Sequence, residues 1–537
     1  MNSLTSSLPF LRWLCVGTLL NVILLAPVWL RFDALSLRDL ALEAWLIVAA
    51  LALMPRGKWY RILCTSVVVV VTFASLIGLG DALVHEAFGR SLNLYLDLPL
   101  LESVFDLLVG NLGPVWAWLV SLAALLLLIG LGVGIYLALL SLPRYSPGSV
   151  PGGITIGLLG AACLYLLAEA TAGQRLLTHV RTPAWDTLMF QGEQVIDTHR
   201  TKRDFALSLQ EMPGTLQAMP GLESKDVFII FIESYGMTAL QDKHYAEVLV
   251  PRLREREASL AEAGVSMISG SLEAPVRGGQ SWLAHATALS GRWIDNQLLY
   301  RLLLDSDSPT LVDDFGATGH TTLAVVPAIT RAWPEGEAYG FDHIHDATNL
   351  NYAGPALNWV TMPDQYTLDH FQRTLRPRHE GPIFAQIALI SSHAPWTPIL
   401  PMLDDWGRIG DGRIFERWAT AGEAPEALWQ DPGRVREHYA LSVDYAVNVA
   451  LRWAEDAVDD NTLLVVLGDH PPAPLITGDV AGGAVPVHIL STDPARLEPF
   501  MAHGFRQGAI PDSLEDPPGM DRLRHWFHDA FGPSAER

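Results

Sequence analysis

The stretch Leu463–Ala473 reads LLVVLGDHPPA, and it sets the expectations for the C-terminal part of the chain. Its five apolar residues and glycine predict a buried strand, and Asp469 and His470 follow where that strand ends. Carboxylate and imidazole groups both bind metals such as zinc and manganese. An Asp-His pair at the mouth of a strand therefore indicates a metal site, whose other ligands should come from neighbouring strands.

Two other apolar runs end in residues of the same kind. The run DVFIIFIES places Glu233 at the end of a strand, and PIFAQIALISSH places His393 at the end of another. Helical stretches separate the apolar runs, and the longest of them covers 436–460. This alternation predicts an α/β domain with a mainly parallel sheet flanked by helices. Glu233, His393, Asp469 and His470 then meet at the carboxyl edge of the sheet, where such sheets bind ligands.

The first third of the chain has a different composition. The whole chain of 537 residues is 50% hydrophobic, which is high for a soluble enzyme. A stretch of ~17–25 apolar residues can cross a bilayer. Five stretches of about this kind lie here: Leu11–Trp29, Leu40–Met54, Trp59–Leu79, Val115–Leu140 and Gly153–Ala168.

Basic residues in the loops predict the orientation of these stretches. The loop after the second stretch contains Arg56, Lys58 and Arg61, whereas Asp81–Gly113 is mostly acidic. Because basic loops stay in the cytoplasm, the N-terminus is predicted inside and everything after about residue 170 outside. The protein is therefore expected to be multi-pass in the cytoplasmic (inner) membrane, with its α/β domain on the periplasmic or extracellular side.

The expected organisation has three segments. Residues 1–170 form a transmembrane domain of five helices, 171–225 a connector with one helix near Asp186–Leu209, and 226–537 the α/β domain. The formal net charge of −22 argues against a nucleic-acid partner, which needs a basic surface. The only cysteines, Cys15, Cys64 and Cys163, lie in predicted spans. The α/β domain therefore has no disulfide, cysteine zinc site or cysteine nucleophile.

A serine supplies a candidate nucleophile. In GGQSWLAHATALSG, glycines lead to Ser281 at the start of a predicted helix, where backbone N–H groups and the helix dipole favour an anion. Each candidate also has a structural interpretation. Ser281 suits an ordinary N-cap, Glu233 a loop charge and His393 a hydrogen-bonded structural histidine. His285, one helical turn after Ser281, is predicted to belong to the core.

Together these motifs resemble the alkaline phosphatase/sulfatase superfamily, in particular its membrane-bound branch of lipoteichoic acid synthase-like and phosphoglycerol- or phosphoethanolamine-transferase-like proteins. The resemblance is sharpest in DVFIIFIESYG, GGQSW, YGFDHIHD, ALISSHAPW and LLVVLGDH. It implies that Glu233, Ser281, Asp469 and His470 hold one divalent ion, either Mn or Zn. It also implies that Ser281 is the nucleophile and that His393 lies on the substrate side.

The resemblance further implies a function in the cell envelope. The expected activity is a metal-dependent phosphoester transferase or hydrolase, which moves a phospho-alcohol group from a membrane lipid donor to a glycan or lipid acceptor. Trp333 matches the tryptophan of the substrate pocket. The phosphoglycerol-transferring members have a histidine and an arginine near that tryptophan, where this chain has Val326 and Glu335. Phosphoethanolamine enzymes usually carry several external cysteines, and this domain has none.

Three alternatives remain at the level of sequence. A sulfatase would need a formylglycine made in a Cys/Ser-x-Pro-x-Arg context, but Ser281 is followed by Trp-Leu-Ala-His. A non-catalytic envelope assembly protein could retain the fold, although all four ligand positions are filled. A transporter would place paired charges inside its spans, and only Glu43 and Glu169 lie near them.

Overall fold

The structure is a computed structural model that describes residues 2–32, 34–98, 100–211, 214–478 and 482–533. The chain divides into two compact units, Met1–Thr201 and Lys202–Arg537. This boundary falls inside the predicted connector. Met212 and Pro213, which belong to that connector, lie outside the described residues.

The first unit is helical, and each predicted apolar stretch forms a helix within it. Among the described residues, four helical segments are long and apolar enough to cross a membrane: Leu8–Arg31, Lys58–Phe88, Pro114–Leu140 and Val150–Ala172. Its helices are α1 (Asn2–Arg31), α2 (Leu42–Leu53), α3 (Lys58–Phe88), α4 (Leu94–Asp97), α5 (Leu100–Leu112), α6 (Pro114–Leu140) and α7 (Val150–Ala172), and α8 (Pro183–Glu211) begins here.

The second predicted span is shorter than expected. Helix α2 is apolar but has 12 residues, a length of about 18 Å, whereas the hydrocarbon core of a bilayer is about 30 Å thick. It follows the short parallel pairing of β1 (Leu40–Ala41) with β2 (Val180–Arg181). The fold-class prediction of an apolar helical bundle before an α/β domain is confirmed, with four long helices and one short one in the described part of the chain.

Helix α2 is held by close packing and by a polar contact. A Cβ added to Gly17 of α1 would lie 2.5 Å from the ring of Trp45, so the indole of Trp45 packs directly on the α1 backbone. Asn21 Oδ1 accepts hydrogen bonds from the backbone N–H of Ala41 (2.7 Å) and from Trp45 Nε1 (3.3 Å). Small residues and buried hydrogen bonds of this kind hold helices together in membranes.

The acidic residue Glu43, considered above as a sign of a transport path, has a structural role. Its Oε1 accepts hydrogen bonds from the backbone N–H groups of Ala184 and Trp185. These residues open α8, where the helix leaves N–H groups unpaired and favours a negative charge. Helix α8 is the helix predicted near Asp186–Leu209.

The second unit contains an eight-stranded sheet within the described residues, in the order β10-β4-β9-β8-β3-β7-β5-β6. The pairs along β8-β3-β7-β5-β6 are parallel, whereas β9 runs antiparallel to β8 and β4, and β10 antiparallel to β4. The predicted mainly parallel sheet is confirmed. The strands are β3 (Asp226–Ile232), β4 (Ser266–Glu273), β5 (Thr321–Val326), β6 (His343–Asp346), β7 (Ile383–Leu389), β8 (Thr462–Gly468), β9 (Ala484–Ser491) and β10 (Arg506–Gln507).

Helices cover both faces of this sheet. Successive residues of β3 point to opposite faces, so Phe228 and Ile230 join one apolar cluster while Val227 and Ile229 join another. Strand β3 is apolar throughout because both of its faces are buried. The helices of this unit are α9 (Thr238–Gln241), α10 (Lys243–Glu262), α11 (Ser281–Ser290), α12 (Gln297–Leu304), α13 (Leu311–Thr318), α14 (Pro334–Ala338), α15 (Asp364–His370), α16 (Pro425–Leu428), α17 (Pro432–Ala457), α18 (Pro474–Thr477), α19 (Glu498–Met501) and α20 (Arg522–Phe531).

Candidate metal and nucleophile site

Strand register brings the predicted ligands together. The last residue of β3, Ile232, pairs with Gly468 at the end of β8, so Glu233 and Asp469 leave the sheet side by side. Glu233, Asp469 and His470 are all buried and each offers one ligand atom, and these three atoms lie within 4.8 Å of one another. A group of three ligands this close is the kind of site that the opening motif predicted.

The hydroxyl of Ser281 completes the cluster. Its Oγ lies 3.0 Å from Glu233 Oε2 and 3.2 Å from His470 Nε2. His470 Nε2 in turn lies 3.3 Å from Glu233 Oε1 and 3.9 Å from Asp469 Oδ1. All four residues that the sequence assigned to one ion therefore converge in the structure.

Ser281 arrives from a distant strand by way of a tight turn. Strand β4, which precedes it in the chain, is three places from β3 in the sheet. The connection has positive φ angles at Gly278 (72°), Gly279 (144°) and Gln280 (65°), and its glycines adopt these values without a steric penalty. The backbone N–H of Gly278 also donates to Pro471 O at 2.9 Å, which ties the turn to the residue after His470.

Ser281 is the first residue of α11 and not its N-cap. The cap position belongs to Gln280, which makes no side-chain capping bond. The Ser281 hydroxyl faces a carboxylate and an imidazole, while the backbone at the start of the helix carries unpaired N–H groups. The N-cap interpretation of Ser281 is therefore wrong, and its hydroxyl lies where an anion would also be stabilised.

The donor set fits a divalent ion of the Mn or Zn type. His470 Nδ1 lies 2.9 Å from Pro471 O, so Nδ1 carries a proton and Nε2 is the ring nitrogen that would face a metal. Asp469 Oδ1 accepts from the backbone N–H groups of Ser234 (2.8 Å) and His470 (2.6 Å), which orients the carboxylate. The set of two carboxylates, one imidazole and one hydroxyl suits these ions.

Buried charge gives the cluster unusual protonation. Burial raises the pKa of Glu233, but the His470 charge and its hydrogen bond outweigh burial and hold that pKa well below its usual value. Burial and the Glu233 charge raise the pKa of Asp469 to about 7. Burial lowers the pKa of His470, yet the Asp469 and Glu233 charges raise it to about 9. The carboxylates therefore hold a proton on His470, which a bound cation would replace.

His393 lies beside this cluster on the exposed side. It follows β7, and its Nδ1 donates to Ala394 O at 2.5 Å. The His393 side chain lies near enough to Glu233 for its charge to contribute to the lowered pKa of that carboxyl. His393 also borders a small cavity together with the polar residues Ser391, Ser442 and Tyr445.

Trp333 and His285 do not belong to the cluster of Glu233, Ser281, Asp469 and His470. Trp333 is the N-cap residue of α14, and a Cβ on Gly336 would overlap its ring, so the half-buried indole packs on the α14 backbone. Within the described residues, no contact links Trp333 to the four-residue cluster. His285 is in the core, as predicted: its ring centroid lies 4.0 Å from that of Phe231, and burial lowers its pKa to about 3.

Sequence reasoning missed Asp364, which holds the segment leading to His393. Asp364 is buried at the start of α15, and its Oδ1 accepts from the backbone N–H groups of Ile390 (2.7 Å) and Ser391 (2.9 Å). Ser391 Oγ accepts from the Asp364 N–H at 2.9 Å. A Pro-Asp pair is typical of a helix start, so the sequence carries no further signal of this role.

Part of the α/β domain matches a known family. The arrangement defines a membrane-anchored α/β protein with a candidate metal site. Residues 299–479, a segment that contains Trp333, His393, Asp469 and His470, match the family model described as Sulfatase. The predicted resemblance to the alkaline phosphatase/sulfatase superfamily is thereby confirmed, and the chain carries a sulfatase-family segment. Glu233 and Ser281 lie outside the matched residues. The fold brings both of them next to Asp469 and His470, which lie inside the matched segment.

No curated protein has significant sequence similarity to the chain. Solved structures resemble it in fold, with low sequence identity and low TM-scores. The lipoteichoic acid synthase LtaP from Listeria monocytogenes is 14% identical over 59% of this chain and 74% of that chain, with a TM-score of 0.39. The lipooligosaccharide phosphoethanolamine transferase A (EptA) from Neisseria meningitidis is 12% identical over 98% and 95%, with a TM-score of 0.42. The phosphoglycerol transferase GacH from Streptococcus pyogenes is 13% identical over 63% and 93%, with a TM-score of 0.37.

Proposed function

We propose that this protein is a metal-dependent phosphoester transferase or hydrolase of the bacterial cell envelope with Ser281 as its nucleophile. The observation that carries the proposal is the position of Ser281 Oγ, 3.0 Å from Glu233 Oε2 and 3.2 Å from His470 Nε2 at the start of a helix. A serine hydroxyl needs such activation to attack a phosphoester at neutral pH. A structural serine needs no neighbouring carboxylate and imidazole.

Glu233, Ser281, Asp469 and His470 would together hold one divalent ion, Mn or Zn. When bound, such an ion stabilises a deprotonated hydroxyl and the negative charge of a phosphate group. Glu233 and Asp469 offset the positive charge of the ion. The Pro471 carbonyl accepts the Nδ1 proton of His470, so Nε2 is the nitrogen that would bind the ion after losing its own proton.

The proposed reaction has two displacement steps. In the first, Ser281 Oγ, which has already lost its proton to solvent, forms a bond to phosphorus, the bond from phosphorus to the donor's alcohol oxygen breaks, and that alcohol leaves with a proton that His393 supplies. In the second, an acceptor hydroxyl or water attacks the phosphoserine, loses its proton to His393, and releases Ser281. A glycan or lipid hydroxyl makes the enzyme a transferase and water makes it a hydrolase. Trp333 is proposed to contact the substrate.

The membrane unit suits a lipid donor. We propose that residues 1–170 anchor the chain, that 171–225 connect it and that 226–537 catalyse the reaction on the periplasmic or extracellular side. The basic loop with Arg56, Lys58 and Arg61 supports a cytoplasmic position for that loop. An anchored enzyme meets a membrane lipid donor without diffusing through water.

The decisive experiment compares Ser281 variants of the full-length protein. Ser281→Ala should lower aryl phosphodiester cleavage by several orders of magnitude while most of the bound metal stays, because Glu233, Asp469 and His470 remain. Ser281→Thr should keep partial activity because it retains a hydroxyl. Ser513→Ala, which removes an exposed hydroxyl, is the matched control and should be fully active.

Intact-mass analysis after incubation with membrane lipids would identify the transferred group by the mass added to Ser281. The same protein should be assayed on aryl sulfates, with Mn and Zn in parallel. Aryl sulfate cleavage faster than phosphodiester cleavage would replace the proposal by a sulfatase. An inactive, metal-free wild-type chain would instead favour a non-catalytic assembly protein.

A further inference from the structure

Ser234, the residue after Glu233, has an unusual backbone conformation for a serine. Its φ angle is 57°, in the left-handed region, and the residue is buried with 5% of its surface exposed. A Cβ atom crowds the backbone in this region, whereas glycine enters it without a steric penalty. Because the chain has a serine here and not a glycine, the side chain needs an explanation.

Ser234 donates hydrogen bonds to two of the candidate metal ligands. Its Oγ donates to Glu233 Oε1 at 2.8 Å, and its backbone N–H donates to Asp469 Oδ1 at 2.8 Å. Every residue except proline has a backbone N–H, so the contact with Glu233 is what the serine side chain adds. The hydroxyl is therefore the part of Ser234 that a glycine would lack.

The hydroxyl separates the roles of the two carboxylate oxygens of Glu233. Oε1 accepts from Ser234 Oγ and lies 3.3 Å from His470 Nε2, whereas Oε2 lies 3.0 Å from Ser281 Oγ. The last torsion of a glutamate side chain has a broad minimum, so the carboxylate turns easily unless other contacts hold it. A hydrogen bond from a residue outside the ligand set orients the ligand, as in other metal sites.

Contacts that do not involve the Ser234 side chain hold the backbone at this position. Tyr439 Oη donates to Ser234 O at 3.1 Å, and Ser392 Oγ donates to Glu233 O at 2.6 Å. Both contacts remain when the Ser234 hydroxyl is removed. Its loss should therefore leave the turn after β3 in place and release only the Glu233 carboxylate.

We propose that Ser234 is a positioning residue for the candidate metal site, whose hydroxyl fixes the Glu233 carboxylate with Oε2 towards Ser281. The inference rests on the proposed function, because it takes Glu233 as a ligand of the divalent ion. Two properties of Ser234 then have opposite effects. The hydroxyl strengthens ion binding, whereas the Cβ atom in a left-handed backbone lowers the stability of the fold.

Two substitutions separate these effects in the full-length chain, stripped with a chelator and titrated with Mn²⁺ or Zn²⁺. Ser234→Gly and Ser234→Ala both lack the hydroxyl, and both keep the backbone N–H that donates to Asp469. Each should bind the ion about 10–100-fold more weakly than the wild type. Without metal, Ser234→Gly should unfold at a higher temperature than Ser234→Ala, because glycine adopts the left-handed backbone without a steric penalty.

Ser491→Ala is the matched control. Ser491 is also fully buried, and its Oγ lies 3.5 Å from the carbonyl oxygen of Thr462, the first residue of β8, whereas Asp469 follows the last residue of that strand. This substitution therefore removes a buried serine hydroxyl at the opposite edge of the sheet. It should bind the ion as tightly as the wild type.

The outcomes distinguish this inference from the proposed function. Equal affinity in the wild type and Ser234→Gly overturns the role of the hydroxyl, and a lower unfolding temperature for Ser234→Gly than for Ser234→Ala overturns the strain. A wild type that binds no divalent ion overturns the proposed function, and this inference with it. Ion binding without phosphodiester cleavage overturns the proposed activity alone, because the affinity measurement does not require turnover.

Discussion

The buried carboxyl of Asp364 should make the free energy of unfolding of this protein depend on pH. The substitution Asp364→Asn should remove that part of the pH dependence. Asp364 Oδ1 accepts two backbone N–H bonds, and its Oδ2 is buried without a partner among the described residues. Burial raises its pKa from 3.8 to about 7, in spite of the hydrogen bonds that lower it. Asp364→Asn keeps an acceptor oxygen for both N–H groups and removes the ionisation.

The magnitude follows from that shift. Because the folded-state pKa lies above the unfolded one, the folded state keeps its proton longer, and stability falls as the pH rises from about 4 to about 7. A shift of about three pKa units is worth about 4 kcal/mol in total, of which about 2–3 kcal/mol is lost between pH 5 and pH 8. With about 2.1 cal/mol/K of unfolding entropy per residue over Lys202–Arg537, this equals about 3–4 °C.

The assay is the unfolding temperature of the full chain in detergent, measured at pH 5 and pH 8 with metal present. The advantage of Asp364→Asn over the wild type should grow by about 3–4 °C between the two pH values. Asp404→Asn, at an exposed position, supplies the baseline for the same chemical substitution. If the difference between Asp364→Asn and the wild type is the same at both pH values, the argument that burial controls this carboxyl is refuted.

Three other predictions test the site and the topology. His470→Ala should lower metal occupancy and abolish phosphodiester cleavage with little change in unfolding temperature, because His470 lies beyond the strand end; full occupancy and activity would mean that the Asp-His pair is structural. Gly236→Ala should cost about 1–3 kcal/mol and most of the activity, since its Cβ would lie 2.8 Å from Pro471 Cα; unchanged stability would show that the two turns can move apart. A protease added outside the cytoplasmic membrane should cut within 171–224 and release a fragment of about 35–40 kDa, and protection of that segment would contradict its proposed position outside the membrane.

The positions of the candidate site residues were predictable because the signal for each is local. Glu233 and the Asp469–His470 pair directly follow apolar strands, and His393 comes a short turn after another. A parallel sheet gathers the ends of its strands at one edge whatever their order. The sheet, the flanking helices and the helix in the connector follow from apolar runs and helical periodicity of the same local kind. The membrane helices follow from length and hydropathy, which also depend only on neighbouring residues.

What the sequence did not predict depends on contacts between distant segments. Asp364 reaches the N–H groups of Ile390 and Ser391, which are 26 and 27 residues away in the chain. Helix α2 was expected to span the membrane, but the structure ends it at Leu53, before the Pro55-Arg56 pair.

The same dependence on distant contacts explains how Ser281, the proposed nucleophile, is fixed relative to the candidate metal ligands. Pro471 follows His470, and three turns meet on it. Its carbonyl accepts from Gly278 N–H (2.9 Å) and lies 2.9 Å from His470 Nδ1, while its Cα leaves no room for a side chain on Gly236. The turn after Glu233, the turn before Ser281 and the turn that carries His470 are therefore held by one residue. Because a displacement of about 1 Å can cost about 10²-fold in rate, this shared support matters as much as the four side chains themselves.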